Sequence, residues 1–171
     1  MDKNVYDSIA PFYDAEHAHF SEDLDMYQNY AELCGGSILE IACGSGRILL
    51  PLAKAGYELT GVDSSEGMLQ LARQTLTKAS VIQRCTLVQQ DMRTFQLGLK
   101  FRLAFIGLGS FAHLTSRQEQ REALTAVRAH LSRGATFILD ISNADARYME
   151  DLSGQILHQG SWRQEDGTML T

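Results

Sequence analysis

The sequence predicts an α/β fold, in which a mainly parallel, doubly wound sheet carries helices on both faces and a short antiparallel hairpin follows at the C-terminal end. Short apolar runs alternate with amphipathic segments from Ser37 to Ile141, the pattern of strands joined by right-handed helical crossovers. The first apolar run ends in a glycine-rich turn, as a buried strand does. The 171 residues, of which 44% are hydrophobic, suit a single domain with a sizeable core.

Two helical pieces precede the alternating region. The first is indicated by apolar residues at helical spacing, and Pro11 is expected to end or kink it. Those apolar residues are Val5, Ile9 and Phe12. The second piece is predicted over 23–33 and is stopped by the glycine pair 35–36.

The alternating region supplies five strands and three helices. Strands are predicted over 37–42, 57–62, 85–89, 101–107 and 135–141, and helices over 47–55, 64–77 and 116–131. Either Ser64 or Ser65 suits the N-cap of the second of these helices, while Ser116 and Glu119 form a capping-box pair at the start of the third. Gly134 is expected to end that third helix.

The chain is predicted to form a core over 1–142, with an N-terminal helical lid over 1–33, and an extension over 143–171. The extension is interpreted as a partial cover: a helix over 143–152, then a hairpin of 155–163 and 168–171 around the turn 164–167. An alternative is that the hairpin only protects a sheet edge or pairs with another copy of the chain.

Charge and composition argue against several functional classes. Fifteen basic and twenty-one acidic residues give a net charge of −6, which disfavours nucleic-acid binding. No apolar run reaches the roughly 18 residues that suggest a membrane span, and the N-terminus does not resemble a signal peptide. Three widely separated cysteines favour a reduced, cytoplasmic protein over a disulfide scaffold or a metal site. They are Cys34, Cys43 and Cys85.

The glycine-rich turn and an acidic strand end together form the candidate ligand-binding site. The first strand runs into Gly44-Ser45-Gly46, and the second ends at Asp63. In an open parallel sheet, glycines at such a place let a ligand approach the backbone, and a carboxylate at the next strand end accepts hydrogen bonds from both ribose hydroxyls. The alternative is that the glycines only shape a turn and Asp63 only caps a helix.

The fingerprint of dinucleotide binding is incomplete. Leu49 stands where that fingerprint needs a third glycine or an alanine for close packing of helix on strand, which weakens an NAD interpretation. The Gly-Lys-Ser/Thr of a phosphate-binding P-loop is also missing.

Instead, ILEIACGSGRILLPLAKAGYELTGVDSSEGMLQLAR resembles motif I and the following acidic strand end of class I S-adenosylmethionine-dependent methyltransferases. The segments QQDMRTF, FIGLGSFAHL and LSRGATFILDI are similar to the motifs after strand three, after strand four and before strand five, and YDSIAPFYD is similar to a segment that closes over the cofactor. The resemblance covers Tyr6 to Ile141. It implies a Rossmann-like fold and S-adenosylmethionine as the cofactor, in a small-molecule type that is shortened at its C-terminal end.

The resemblance also implies a set of cofactor-binding residues. The ribose would be held by Asp63, with Ser64 and Met68 beside it, and the adenine by Asp91 and the backbone of Met92. The methionine part would contact the remaining residues: Glu40, Ala42, Gly44, Gly46, Arg47, Gly107 and, from the lid, Tyr13. Arg47 would neutralise the methionine carboxylate or solvate the start of the helix. Ala42 replaces a frequent glycine and narrows the pocket slightly.

Methyl transfer from a sulfonium needs alignment and exclusion of water rather than a covalent intermediate or a metal. A general base helps when the acceptor is a hydroxyl or an ammonium, and the candidates are His113, Tyr13, His17 and His19. The blander interpretation is that His113 bonds the backbone of its loop and that His17 and His19 are solvated. Cys43 is interpreted as a small buried thiol. For Tyr6, Phe12 and Tyr13, core packing and a lid role are equally compatible with the sequence.

The predicted function is S-adenosylmethionine-dependent methyl transfer to an unidentified small-molecule acceptor by in-line displacement, with no nucleic-acid or membrane partner. Two alternatives stay open. One is a non-catalytic cofactor-binding or dimerisation module, with a homodimer formed through the C-terminal hairpin or a sheet edge. The other is an NAD-dependent oxidoreductase, which the residue at position 49 disfavours.

Overall fold

A five-stranded, all-parallel sheet forms the centre of the molecule. The computed structural model describes residues 4–17, 20–141, 162–163 and 169–170. The strand order is β3-β2-β1-β4-β5, so the order reverses at β1, between β2 and β4. The strands are β1 (Ile38–Ile41), β2 (Leu59–Asp63), β3 (Cys85–Gln89), β4 (Phe101–Ile106) and β5 (Leu131–Leu139). The predicted Rossmann-like architecture is confirmed, and ligands of such sheets bind where the strand order reverses.

Five helices surround this sheet within the described residues. They are α1 (Val5–His17), α2 (Leu24–Cys34), α3 (Leu49–Lys54), α4 (Glu66–Lys78) and α5 (Arg117–His130). Ser65 is the N-cap of α4 and its Oγ accepts from the Met68 N–H at 3.1 Å. The capping box of Ser116 and Glu119 is present at the start of α5. Single 3₁₀ turns lie at Ile82–Arg84 and Ser110–His113.

The helix α1 differs from its prediction in two ways. It continues through Pro11 to His17, because Pro11 lies on the exposed side, where its ring costs a helical hydrogen bond without disturbing the packed face. The predicted apolar stripe is also exposed rather than buried, with Val5 63% and Phe12 47% exposed. Ala10 is the buried residue of this helix instead.

The boundary between α5 and β5 also differs from the prediction. The helix ends at His130, before Gly134, and the strand begins at once because Leu131 has extended backbone and pairs with Phe101. Lys100 Nζ donates to the carbonyl of Ala129 and satisfies one of the last helical acceptors. Gly134, with φ +74°, lies where the pairing of β4 with β5 changes register.

Two clusters of buried side chains correspond to the two faces of the sheet. Side chains alternate along a strand, so Ile38 and Glu40 of β1 share one face while Leu39 and Ile41 share the other. Ile38 packs with buried residues of α2, α3 and α4, and Leu39 packs with Val127 of α5. Glu40 therefore points towards a helix-covered, apolar face.

Close packing at Gly61 explains the missing third glycine of the turn. A Cβ on Gly61 would lie 2.8 Å from Cδ1 of Leu49 and 2.8 Å from Sγ of Cys43. The space that allows α3 to approach the sheet is thus supplied by β2 rather than by position 49. Gly46 has φ +86° and a Cβ there would lie 3.3 Å from that of Ala72, so it lets the turn approach α4.

Two short strands, β6 (Trp162–Arg163) and β7 (Met169–Leu170), pair in antiparallel fashion. The intervening turn lies outside the described residues, so the predicted hairpin as a whole stays a prediction. The predicted helix over 143–152 also lies outside them. Among the residues that the structure describes, every helix is too short or too polar to span a bilayer.

Candidate active site

The tips of β1 and β2 meet at the glycine-rich turn. The Gly44 N–H donates to Oδ2 of Asp63 at 2.8 Å, and the Cys43 N–H donates to the carbonyl of Val62 at 3.1 Å. Oδ1 of Asp63 accepts from the Ser65 N–H at 2.9 Å. The carboxylate is thereby held by two backbone donors, one from each side, and keeps further acceptor capacity for a ligand.

Burial raises the pKa of the Asp63 carboxyl above its ordinary value, although the N–H groups of Ser65 and Gly44 oppose that rise. A carboxylate with a perturbed pKa that also lies in a cleft is a candidate for a functional residue.

A cavity of about 350 Å³ opens in front of this carboxylate. Its volume is within the range of small-molecule sites, and its walls combine apolar and polar groups. The lining residues come from α1, the turn after β1, the tip of β2, the start of α4 and the loops after β3 and β4: Asn4, Val5, Tyr6, Tyr13, His17, Ala42, Gly44, Asp63, Ser64, Met68, Met92, Leu108, Ser110 and His113.

A smaller cavity of about 30 Å³ shares six of these residues and extends towards the base of the turn. Glu40, Arg47 and Gly107 line it. Glu40 is only 3% exposed, and its Oε2 has no hydrogen-bond partner among the described residues. Burial raises the pKa of this carboxyl well above its ordinary value, and the positive charge of Arg47 only partly opposes that rise.

The guanidinium of Arg47 is already occupied by a carboxylate. Its two terminal nitrogens donate to Asp23 at 2.7 and 2.6 Å, and Nη1 also donates to the carbonyl of Phe20 at 3.0 Å. The guanidinium carbon lies 5.1 Å from the centroid of the Phe20 ring. Within the described part of the chain, Nε of Arg47 lacks a hydrogen-bond partner. Arg47 thus joins α3 to the segment before α2, in addition to lining the site.

The carboxylate of Asp91 binds Arg93 and does not line the larger cavity. Nε and Nη2 of Arg93 donate to its two oxygens at 2.9 and 2.5 Å, and the Arg93 N–H adds a third bond at 2.8 Å. The side-chain hydrogen bond from Arg93 lowers the pKa of the Asp91 carboxyl. Met92 lines the larger cavity, but Asp91 does not.

In the loop after β4, the carbonyl of Gly107 already accepts two hydrogen bonds. Ser110 donates to the Gly107 carbonyl through both its N–H at 3.1 Å and its Oγ at 2.8 Å. Leu108 adopts φ +49°, and its N–H donates to Oδ2 of Asp140 at 2.9 Å. The end of β5 thereby holds the loop in an unusual backbone conformation beside the cavity.

Helix α1 covers the cavity with a polar and aromatic face. Tyr13 stacks on His17 with ring centroids 4.0 Å apart, and Tyr6 meets Tyr13 edge to face. The hydroxyl of Tyr6 lies 2.8 Å from Nε2 of His113. The predicted backbone partner of His113 is therefore wrong, since its hydrogen bond is to α1. His17 is also not fully solvated as predicted, because it lines both cavities, and His19 lies outside the described residues.

The helix is anchored to the start of α4. Oδ1 of Asp7 accepts from the Ser65 hydroxyl at 2.6 Å and from the Gly67 N–H at 3.1 Å. Nδ2 of Asn4 donates to Oγ of Ser64 at 2.9 Å. A Cβ on Gly67 would lie 3.0 Å from Cα of Asp7, so this glycine permits the close approach of the two helices.

The structure places ten of the twelve predicted cofactor residues on the two cavity walls and leaves out Gly46 and Asp91. Cys43 is 4% exposed, as the interpretation of a buried thiol requires. Sequence reasoning missed a wall contributed by Asn4, Leu108 and Ser110. The aromatic spacing of α1 was the available signal for its inner face, and the segment FIGLGSFAHL was the available signal for Leu108 and Ser110.

A family model described as "Methyltransferase domain" matches residues 38–134, which span β1 to the start of β5 and contain the glycine turn and the Asp63 carboxylate. The chain belongs to this methyltransferase family. The NAD-dependent alternative is thereby disfavoured on independent grounds.

Among proteins similar to this methyltransferase chain is the dTDP-3-amino-3,4,6-trideoxy-alpha-D-glucopyranose N,N-dimethyltransferase of Streptomyces venezuelae. It is 34% identical over 104 residues, which cover 61% of this chain and 41% of that protein. The demethylmenaquinone methyltransferase of Lactiplantibacillus plantarum is 30% identical over 158 residues, which cover 84% of this chain and 63% of that one.

A solved structure, the glycopeptide N-methyltransferase MtfA complexed with sinefungin, has a TM-score of 0.66 and 31% identity, covering 76% of this chain and 54% of that one. The same protein is known in complex with S-adenosyl-L-methionine. The methyltransferase chain described here spans about half the length of the relatives that it matches.

Proposed function

We propose that this chain binds S-adenosylmethionine across the tips of β1 and β2 and takes part in transferring its methyl group to a small-molecule acceptor. The single observation that carries the proposal is the Asp63 carboxylate, which is held by Gly44 of the turn and faces the larger cavity. The cofactor in the MtfA complex and the small-molecule acceptors in the names of relatives support the same conclusion.

The residues present fit the chemical groups of this cofactor. Asp63 offers carboxylate oxygens to ribose hydroxyls, and Met68 and Met92 offer apolar, polarisable surface to an adenine. Glu40 offers an unpartnered carboxyl oxygen, which suits a positively charged amino group. Because Asp91 lines neither cavity and its carboxylate binds Arg93, we propose that adenine recognition relies on the segment around Met92 rather than on the Asp91 side chain.

When bound, the cofactor supplies a methyl group on a sulfonium, which is already activated for displacement. The protein's task is then to align the acceptor and to exclude water. The inner face of α1 covers the cavity and serves the second purpose. Tyr6 and His113 form a hydrogen-bonded pair at the wall, and this pair is placed to receive a proton from an amine or hydroxyl acceptor.

The role of the pair is tested by replacing His113 with alanine or glutamine. If His113 receives a proton, either change lowers kcat, while binding of S-adenosylhomocysteine stays within about two-fold. A loss of binding with kcat unchanged at saturating cofactor indicates that the residue only tethers α1. Tyr6→Phe removes the hydrogen bond but keeps the ring, and separates these roles further.

The proposed cofactor is tested by isothermal titration calorimetry with S-adenosylhomocysteine and, separately, with NAD. Heat with S-adenosylhomocysteine alone supports the proposal, and heat with NAD alone overturns it. Transfer of a radiolabelled methyl group across a panel of amine and hydroxyl acceptors then separates an enzyme from a non-catalytic binding module. Persistent binding without transfer supports the module.

Homodimer formation through the C-terminal hairpin or through a sheet edge stays a prediction. In the described sheet, β3 and β5 are the two edge strands, and an unpaired edge is able to pair with a second copy. Sedimentation equilibrium decides between monomer and dimer.

A further inference from the structure

Three buried polar atoms without hydrogen-bond partners occur among the described residues: Oη of Tyr27, Oε2 of Glu40 and Nε of Arg47. They come from α2, β1 and the start of the α3 segment, so distant parts of the chain bring them to one place. Buried polar groups are nearly always hydrogen-bonded, because an unsatisfied one costs about 1 to 3 kcal/mol. Their grouping therefore indicates a function rather than accident.

Two of the three residues line the smaller cavity, and the third lies beside one of its walls. Glu40 and Arg47 line it directly, together with Gly107. The hydroxyl of Tyr27 lies against Gly107, since a Cβ on that glycine would be 3.0 Å from it. A glycine at 107 thus keeps the tyrosine hydroxyl next to the cavity. At about 30 Å³ the space is too small for a cofactor but large enough for one polar group or one water molecule.

The charges around the cavity leave one carboxylate without compensation. Arg47 is neutralised by the bidentate contact with Asp23. Among the residues that the structure describes, Glu40 has no ion-pair partner, although Arg47 is near enough to act on it electrostatically. A buried carboxylate in this situation gains most from an added cation.

The surroundings of Tyr27 hold its ring in place and keep its hydroxyl protonated. Its side chain is fully buried, and its ring packs against Phe105 with centroids 4.6 Å apart. Burial and the nearby negative charges of Asp140, Asp23 and Glu40 raise its pKa, so the hydroxyl stays protonated. The hydroxyl has no hydrogen-bond partner among the described residues, so its proton is available to an acceptor held in the small cavity.

We propose that Tyr27 is a positioning residue for the amino-acid end of the cofactor: its hydroxyl, beside the small cavity, acts through a group held in that cavity on the Glu40 carboxyl, which in turn faces a positively charged amino group. This inference rests on the proposed function. It adds a residue of α2, outside the family match over 38–134, to the determinants of cofactor specificity.

The test compares two ligands that share an adenosine part and differ at the other end. S-Adenosylhomocysteine has the amino-acid end, whereas 5′-methylthioadenosine lacks it. Tyr27→Phe is expected to raise the Kd for S-adenosylhomocysteine about five- to tenfold and to change that for 5′-methylthioadenosine less than twofold. Tyr30→Phe, on the same helix but 38% exposed, serves as the matched control and changes neither.

A second arm asks whether Tyr27 acts through Glu40. In a Glu40→Gln background the additional effect of Tyr27→Phe is expected to disappear, as it does for two residues that work as one unit. Because the substitution keeps the ring that packs on Phe105, the variant is expected to melt at or above the wild-type temperature without ligand.

Each outcome has a separate meaning. Equal weakening of both ligands, or none, overturns the role of Tyr27 while leaving the proposed function intact. A full Tyr27→Phe effect in the Glu40→Gln background overturns the route through Glu40. Failure of the wild-type chain to bind either ligand contradicts the proposed function itself.

Discussion

Replacement of Asp63 by asparagine tests the centre of the proposed site with little change in shape. The carboxylate now accepts from the N–H groups of Gly44 and Ser65 and has capacity left for two ribose hydroxyls. Asparagine keeps one acceptor oxygen and presents an NH₂ group where the other oxygen was. One of the two backbone donors therefore loses its partner, and so does one of the ribose hydroxyls.

The magnitudes follow from the burial of the site. A hydrogen bond to a charged group contributes about 1.5 to 3 kcal/mol and a neutral one about 0.5 to 1.5 kcal/mol. Losing one charged bond to the ribose and weakening the other costs about 2 to 3 kcal/mol, which raises the Kd roughly 30- to 150-fold. The unpartnered N–H destabilises the protein by about 1 to 3 kcal/mol, or roughly 2 to 12 °C in Tm for a chain of this length.

Binding is measured by calorimetry with S-adenosylhomocysteine, and stability is measured separately by thermal unfolding without ligand. Glu58→Gln is the matched control, because Glu58 directly precedes the other end of β2 and makes an exposed ion pair with Arg84 at 2.9 Å. Such a pair contributes less than about 1 kcal/mol, so binding should not change. An Asp63→Asn protein that stays folded and binds within twofold of wild type would refute the ribose role and, with it, the main support for the proposed function.

Four further outcomes are expected. Ala42→Gly should stabilise the chain by about 0.5 to 1 kcal/mol in urea unfolding, because Ala42 has φ +58°, a conformation that glycine adopts without strain; no gain would contradict the strain. Gly61→Ala should destabilise the chain by about 1 to 3 kcal/mol, because the new Cβ would lie 2.8 Å from Sγ of Cys43. Cys43→Ala removes that sulfur and should restore part of the lost stability, whereas additive changes in the free energy of unfolding would argue against this contact. Glu40→Gln should stabilise the ligand-free chain at neutral pH, because a carboxyl whose folded-state pKa is raised lowers stability at every pH above its unfolded-state pKa; this loss shrinks as pH falls from the folded-state value and is gone below the unfolded-state value. An unchanged urea midpoint, with weaker S-adenosylhomocysteine binding, would place the role of Glu40 in ligand binding alone. The Kd for S-adenosylhomocysteine should rise on acidification, and the rise should begin at a higher pH than for an ordinary aspartate, because the pKa of Asp63 is raised. If the Kd of Asp63→Asn depends on pH in the same way as that of the wild type, Asp63 is not the cause.

The inner and outer faces of α1 show why residue patterns alone did not define the lid. Val5, Ile9 and Phe12 suggested a buried stripe, yet all three are exposed, and Tyr6 and Tyr13 line the cavity together with Val5. Helical spacing identifies a face but not the neighbour that covers it. The neighbour here is the start of α4, to which Asp7 is tied through side-chain and backbone hydrogen bonds.

Asp91 and Arg47 illustrate a second limit. Each occupies the sequence position that the resemblance assigns to a ligand contact, but Arg93 holds both oxygens of Asp91 and Asp23 occupies both terminal nitrogens of Arg47. A motif specifies residue type and position along the chain. Whether a charged side chain is free for a ligand depends on the other residues that bind it. Such a residue can be distant in the sequence: Asp23 lies 24 residues before Arg47.

The sequence by itself determined three features: the alternation of strands and helices, the caps at Ser65 and Ser116, and the position of the glycine turn next to Asp63. Each of them depends on local signals or on the parallel pairing of consecutive strands. The cluster of Tyr27, Glu40 and Arg47 was decided only by the tertiary structure. A buried polar group has no local signature: its meaning depends on what packs around it, and α2, β1 and the turn before α3 meet only when the sheet and its helices have assembled.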